Sequence, residues 1–148
     1  TLFRSAKTAF SSDSKFKLVA SQPADWDRTK ALDIATNYIE KYPNLKAIYC
    51  CNDTMAMGAQ QAVINKGMEG KILVCGTDGN DDAIKSVSDG HLAATVAQDA
   101  SGIGSRTLEI LDNAIKTNAV SNKDTKYTSE YIDSYVISKD NASKYLTK

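Results

Sequence analysis

Neither sign of charge dominates this sequence of 148 residues, because 18 Lys and Arg offset 18 Asp and Glu. That balance argues against a nucleic-acid surface and against a strongly charged partner. No apolar run approaches the length that crosses a bilayer. Histidine occurs once, at His91, which leaves little material for a Ser/His/Asp triad. Cysteine occurs three times, at Cys50, Cys51 and Cys75, with no C-x-x-C pair and no Cys/His metal spacing. All three lie in apolar runs and read as small buried hydrophobes. Their odd number speaks against a disulfide framework, and it does not exclude an extracytoplasmic home. There is no G-x-G-x-x-G and no Walker loop, so the common phosphate cradles are missing. The first residue is Thr; the chain begins as if cut from something longer, and the missing signal peptide says little about location.

What the sequence does have is alternation. Residues 1–10 read as the tail of a helix, and "FKLVAS" (16–21) as a short buried strand. Asp27 is a plausible N-cap for a helix over 28–42, whose Ala31, Ala35, Tyr38 and Tyr42 share one face. Tyr42-Pro43-Asn44 ends it. "KAIYCC" (46–51) is the second strand, and Asp53 can cap a helix over 54–66 closed by Gly67 at its C′ position. "KILVCG" (71–76) is the third strand, followed by "TDGNDD" and a helix over 81–88. "LAATVAQ" (92–98) is the fourth strand, and a helix over 100–117 carries the stripe Ile103, Thr107, Ile110, Leu111, Ala114 and Ile115. A polar linker (118–126) leads to "YTSEYIDSYVIS", an alternating strand, with a short helix near the end. Strand and helix thus recur four times, with helices of crossover length between short apolar strands. This predicts a doubly wound α/β layer around a parallel sheet.

The ends of those strands carry a distinctive set of residues. "SQPADW" with Trp26 follows the first, Asn52-Asp53 the second and Thr77-Asp78 the third, and Gln98 ends the fourth. In an open α/β sheet these places lie along one edge, the crevice where ligands bind. Asn, Asp and Gln carry planar groups that each hold two hydrogen bonds, and Trp offers a broad apolar face. Such a set suits a neutral polyol, whose hydroxyls donate and accept while the C–H face of a pyranose stacks on the indole. A charged substrate would call for a compensating Arg or Lys, and only Arg28 stands in these loops. Structural explanations compete. Asp53 and the acidic pair Asp81 and Asp82 are most simply helix caps, and Trp26 is equally well a packing residue. Asp78 is harder to explain away, since Gly79, Asn80 and Asp81 can supply turn and cap without it.

Other chemistry fits less well. "DGNDD" (78–82) opens like a calcium loop, but Ala83 stands where Gly is needed and Asp89 where Glu is. His91 falls before the fourth strand, at the amino end of the sheet, opposite the candidate crevice. Gly102 and Gly104 lie inside a helix pattern, and Met55 and Met57 read as core.

The stretches "LVASQPADWDRTKALDIATNYIEKYPNLKAIYCCNDTMAMGAQQAV", "VCGTDGNDDAIKSV" and "GHLAATVAQDASGIG" resemble the solute-binding proteins of bacterial sugar ABC importers. The nearest group is the ribose- and allose-binding branch of the type I periplasmic binding proteins, over residues 16 to 117. The resemblance implies two lobes that close on one monosaccharide, without catalysis or cofactor, and deliver it to a membrane permease. It implies a periplasmic or lipoprotein setting. On it, Trp26 stacks on the sugar, Asn52, Asp78 and Gln98 hold hydroxyls, Thr77 flanks the site, and Arg4 corresponds to an arginine of the lobe's first helix. Trp26 and Thr77 look more like the allose than the ribose type. The same resemblance implies that residues 1–98 form most of a C-terminal lobe. Helix 99–117 would pack on a missing N-terminal lobe, and 118–148 would form a hinge-crossing strand and tail. Alone, this piece would self-associate through the helix, which light scattering showing a clean monomer would contradict. It would bind sugar at millimolar affinity or not at all. A LacI-type effector-binding core shares the fold, and a flavodoxin-like domain shares the alternation.

Overall fold

A computed structural model describes residues 2–117, 119 and 129–146. The chain runs through α1 (Leu2–Ser12), α2 (Arg28–Lys41), β1 (Ala47–Tyr49), α3 (Asp53–Asn65), β2 (Leu73–Asp78), α4 (Asp81–Ser88), β3 (Ala94–Gln98), α5 (Ala100–Lys116) and β4 (Ser134–Ser138). A single 3₁₀ turn over Ala142–Lys144 follows. The four strands lie side by side in the order β1-β2-β3-β4. β1 and β2 are parallel, with Tyr49 opposite Cys75. β2 and β3 are parallel too, with Asp78 opposite Ala97. The result is a mixed α/β fold on a predominantly parallel sheet.

The chain divides into two units, Thr1–Ala97 with Val136–Lys148, and Gln98–Tyr135. The first is built around α3. Its Ala56, Ala59, Ala62 and Val63 are buried, together with Val74 of β2, Ala83, Ile84 and Val87 of α4, and Ala97 of β3. Small side chains on α3 let α2 approach closely, and Gly58 is the nearest point. A Cβ there would lie 2.1 Å from the carbonyl oxygen of Arg28. α3 stops where Gly67 adopts φ +62 and its N–H reaches the Ile64 carbonyl, while the Met68 N–H reaches that of Val63. These are the paired bonds of a Schellman ending.

The segment 16–21 does not form the expected strand. Phe16, Leu18 and Val19 are exposed, and the segment pairs with no strand of the described sheet. A strand exists through the hydrogen bonds of its neighbour, and the described sheet starts at β1. An apolar run signals burial only where something covers it; here the Phe16 ring meets Phe10 edge-on at 5.9 Å and stays more than half exposed. Strand and helix therefore alternate three times among the described residues rather than four. The expected strand near the carboxyl end is confined to Ser134–Ser138. Residues 127 and 128, and the linker 118–126 apart from residue 119, lie outside the described residues.

The second unit holds α5. Asp99 caps it, its Oδ1 accepting from the Gly102 N–H at 2.9 Å. Arg106 grips both carboxylate oxygens of Glu130 in a fork. The stripe read from the sequence is present but open, with Ile103, Ile110, Leu111 and Ile115 all exposed.

The thiols make a prediction of their own. Burial pushes the Cys50 thiol up to about 12, with Cys51, Cys75 and Asp53 adding to the effect. Burial raises Cys51 and Cys75 as well. A thiol attacks only as thiolate, so in the native chain Cys50 should stay unmodified by a disulfide reagent at pH 8 and react only on unfolding. Because the folded values are raised, the stability they contribute is intact below the ordinary thiol value of about 8.5. It is lost as pH climbs through the raised values. Reagent-labelled peptides resolved by mass spectrometry check the first point, and native Cys50 labelling at a free-thiol rate would contradict it.

Candidate functional site

The carboxyl end of β2 closes in a strained turn. Asp78, its last residue, has φ +121, and Gly79 follows at φ +80. A side chain at residue 79 is impossible, because its Cβ would sit 2.5 Å from that of Ala97 on β3. Beside this turn stands the start of α3. Asn52 is the true N-cap, its Oδ1 accepting from the Met55 N–H at 2.9 Å. The cap takes one lone pair of the oxygen, and the carboxamide N–H₂ stays available to donate to a ligand.

Asp53 is not the cap expected from the sequence. It is the first residue of α3, fully buried, and its side chain points away from the helix end to two other elements. One oxygen accepts from the backbone N–H groups of Gly79 and Asn80, both at 2.8 Å. The other accepts from the Thr95 hydroxyl of β3 at 2.7 Å. Burial raises its pKa, against the downward pull of the Thr95, Asn80 and Gly79 hydrogen bonds. Gly76 on β2 makes the room, since a Cβ there would meet the Asp53 Oδ1 at 2.1 Å. Sequence reading missed this because Asn and Asp in succession before a helix are both good caps. Only the neighbouring Gly76 and Thr95 distinguish them.

Trp26 is held by a turn rather than by a strand end. The Asp27 N–H reaches the Ala24 carbonyl at 2.9 Å, with Asp25 at φ +51 and Trp26 at φ +62 between them. Two positive φ angles in succession make this a mirror-image turn of the type that Asn, Asp and Gly normally fill, so Asp25 suits it and Trp26 does not. Asp27 then caps α2, accepting from the Lys30 N–H at 2.7 Å, and Lys30 pairs with Asp25. Trp26 is 63% exposed, so packing among the described residues does not account for its position. The backbone of Arg28, two residues on, lies against Gly58, about 9 Å along α3 from Asn52 at 1.5 Å per residue.

The remaining candidates are placed differently. Thr77 is buried, and its hydroxyl lies 3.3 Å from that of Tyr49. Gln98 follows Ala97, the register partner of Asp78, as the exposed last residue of β3 and the first of the second unit. Arg4 is exposed on α1, and among the described residues no hydrogen bond or ion pair joins it to the strand ends. His91 is exposed beyond α4 and meets Glu69 at 2.9 Å.

One pattern links the candidates. Among the described residues only Asp25, Trp26 and Asp78 have positive φ without being glycine. Such conformations cost on the order of 1–3 kcal/mol each and persist only where the surrounding structure over-determines them. Two of the three were singled out by chemistry alone, and the third adjoins one of them.

A family model described as a periplasmic binding protein domain matches residues 3–119. The D-allose-binding periplasmic protein of Escherichia coli (strain K12) is 52% identical over 132 residues, covering 89% of this chain and 42% of that protein. Ribose import binding protein RbsB of Salmonella typhimurium is 42% identical over 109 residues, covering 74% of this chain and 36% of that protein. The crystal structure of an ABC transporter periplasmic solute binding protein from Actinobacillus succinogenes 130z, with bound D-allose, superposes with a TM-score of 0.78 at 35% identity. It covers 95% of this chain and 48% of that one. The chain therefore spans less than half the length of the relatives it matches, and it belongs to the periplasmic binding protein domain family.

Proposed function

We propose that this chain forms most of one lobe of a periplasmic solute-binding protein of an ABC importer, and that the solute is a neutral monosaccharide, with D-allose or another hexose ahead of ribose. The observation that carries the reading is the strained, exposed placement of Trp26 together with the strained carboxylate of Asp78. An enzyme would need a nucleophile or a proton-transfer pair, and this arrangement offers instead a stacking face, a carboxylate and an amide donor. The indole stacks on the C–H face of the ring, Asp78 accepts from two hydroxyls, and the Asn52 amide donates to another. Gln98 adds a second carboxamide by its chemistry and its place at the end of β3. Thr77, enclosed beside Tyr49, supports the floor of the site rather than touching the sugar, and Arg4 is left outside it. The identities to D-allose- and ribose-binding proteins favour this reading over a transcription-regulator core. In the whole protein a second lobe would close over the sugar, the apolar stripe of α5 would be covered, and the membrane permease would take the solute.

With one lobe the sugar is covered from one side, so affinity should be weak, about millimolar. Trp26 is the sole tryptophan, which gives a direct assay: D-allose should shift and quench its emission, D-ribose less so, and an uncharged solute without a ring, such as glycerol, not at all. Equal responses to all three would contradict a sugar site at Trp26, and micromolar affinity would contradict the single-lobe account.

A further inference from the structure

We infer that Asp53 is a positioning residue: from inside the fold it holds Asp78 in its strained conformation and so sets the affinity of the site, without touching the ligand. The inference rests on the sugar-binding reading for its functional consequence, and on geometry for its mechanism. A fully buried carboxylate is retained only where its oxygens are answered. Those of Asp53 are answered from two elements other than its own: Gly79 and Asn80 in the turn after β2, and Thr95 on β3. The two amides follow directly on Asp78, so the carboxylate pulls that turn down onto the start of α3 next to Asn52. Ala97 presses the same turn from the other side, at the position where Gly79 has no side chain. Positive φ at Asp78 is therefore fixed from both flanks, and a residue free to relax would leave it. Thr95 orients the carboxylate in turn, and Gly76 leaves space for it.

Capping alone does not account for Asp53, because Asn52 caps the helix and the three bonds of Asp53 run elsewhere. Charge matters to the hold. Asn at position 53 keeps an oxygen for the two amides and can donate to Thr95, but the bonds lose their charge assistance. Ala leaves both amides unanswered.

The test uses this chain with Asp53→Asn, Asp53→Ala and Thr95→Val, reading hydrogen exchange at the Gly79 and Asn80 amides and D-allose affinity from the Trp26 indole. Exchange at those two amides should accelerate in all three variants. Affinity should fall in step, modestly in Asp53→Asn and Thr95→Val and at least about tenfold in Asp53→Ala, as unmet buried donors would require. Should Asp53→Ala fail to fold, the two milder variants decide. Wild-type affinity in any folded variant whose two amides exchange faster would overturn the inference, and so would unchanged exchange in Asp53→Asn. A wild-type chain that ignores D-allose would sink the sugar reading separately, and the amides alone would then judge whether Asp53 holds the turn.

Discussion

Asp78→Ala abolishes the response of Trp26 to D-allose and leaves unfolding by urea within about 1 kcal/mol of the wild type. The two halves of that expectation come from the same geometry. Asp78 is only half-buried at the end of β2, so little packing is lost with its carboxylate. It also lies near the buried Asp53, whose pKa it helps to raise; removing one of two like charges offsets part of any loss. The binding half follows because two hydroxyls would lose their shared acceptor while the Asn52 donor and the indole remain. Asp78→Gly should lose binding equally and gain stability, since glycine adopts φ +121 without the penalty of a Cβ. Titration and denaturation of both variants check this. A retained D-allose response in Asp78→Ala would remove the residue from the site, and a loss of several kcal/mol would make it structural instead.

Gly58→Ala destabilises the chain by about 2 kcal/mol, against the intrinsic preference of a helix for alanine. In an open helix position that preference would favour alanine by about 1 kcal/mol. Here the new Cβ would stand 2.1 Å from the Arg28 carbonyl oxygen and 3.2 Å from the Leu32 nitrogen. Both are backbone atoms, so no side chain can swing away and α2 itself must move. Overpacking of this kind costs roughly 1–3 kcal/mol. Because Trp26 lies two residues before α2, its turn moves with the helix, and the D-allose response should weaken as well. Gly104→Ala on α5 is the control: nothing lies within 4 Å of its Cβ position, and it should gain up to about 1 kcal/mol. Urea midpoints of the two variants separate the effects. A Gly58 variant as stable as the wild type would mean that α2 does not lie where the structure has it.

The helices were legible where the sequence carries their physics. The α2 cap at Asp27, the Gly67 ending of α3 and the span 81–88 of α4 follow from side-chain chemistry within a few residues. Strands were harder, because their existence depends on a partner far away in sequence. "KAIYCC" pairs over three residues only, and "FKLVAS" pairs with nothing described, though both look alike as apolar runs. The candidate site was legible as a set of residue types at strand ends. What could not be read was conformation: the mirror-image turn puts Trp26, a bulky aromatic, at a positive φ that such a residue ordinarily avoids. Nor does local sequence show that Asp53 reaches Thr95, 42 residues away. Asn52 and Asp53 exchanged roles for the same reason, since a cap is a local event and a buried clasp is not.

The measurement closest to the central claim is an amide correlation spectrum of the ¹⁵N-labelled chain titrated with D-allose to about 100 mM, well above a millimolar dissociation constant. Shifts should concentrate at the Trp26 indole N–H, the Asn52 carboxamide and the backbone of residues 77–80. Glu69 and His91, which precede the amino ends of β2 and β3, should stay still. Shifts gathered around Glu69 and His91, or spread evenly over the chain, would contradict a sugar site centred on the Trp26 indole, the Asn52 carboxamide and the Asp78 carboxylate.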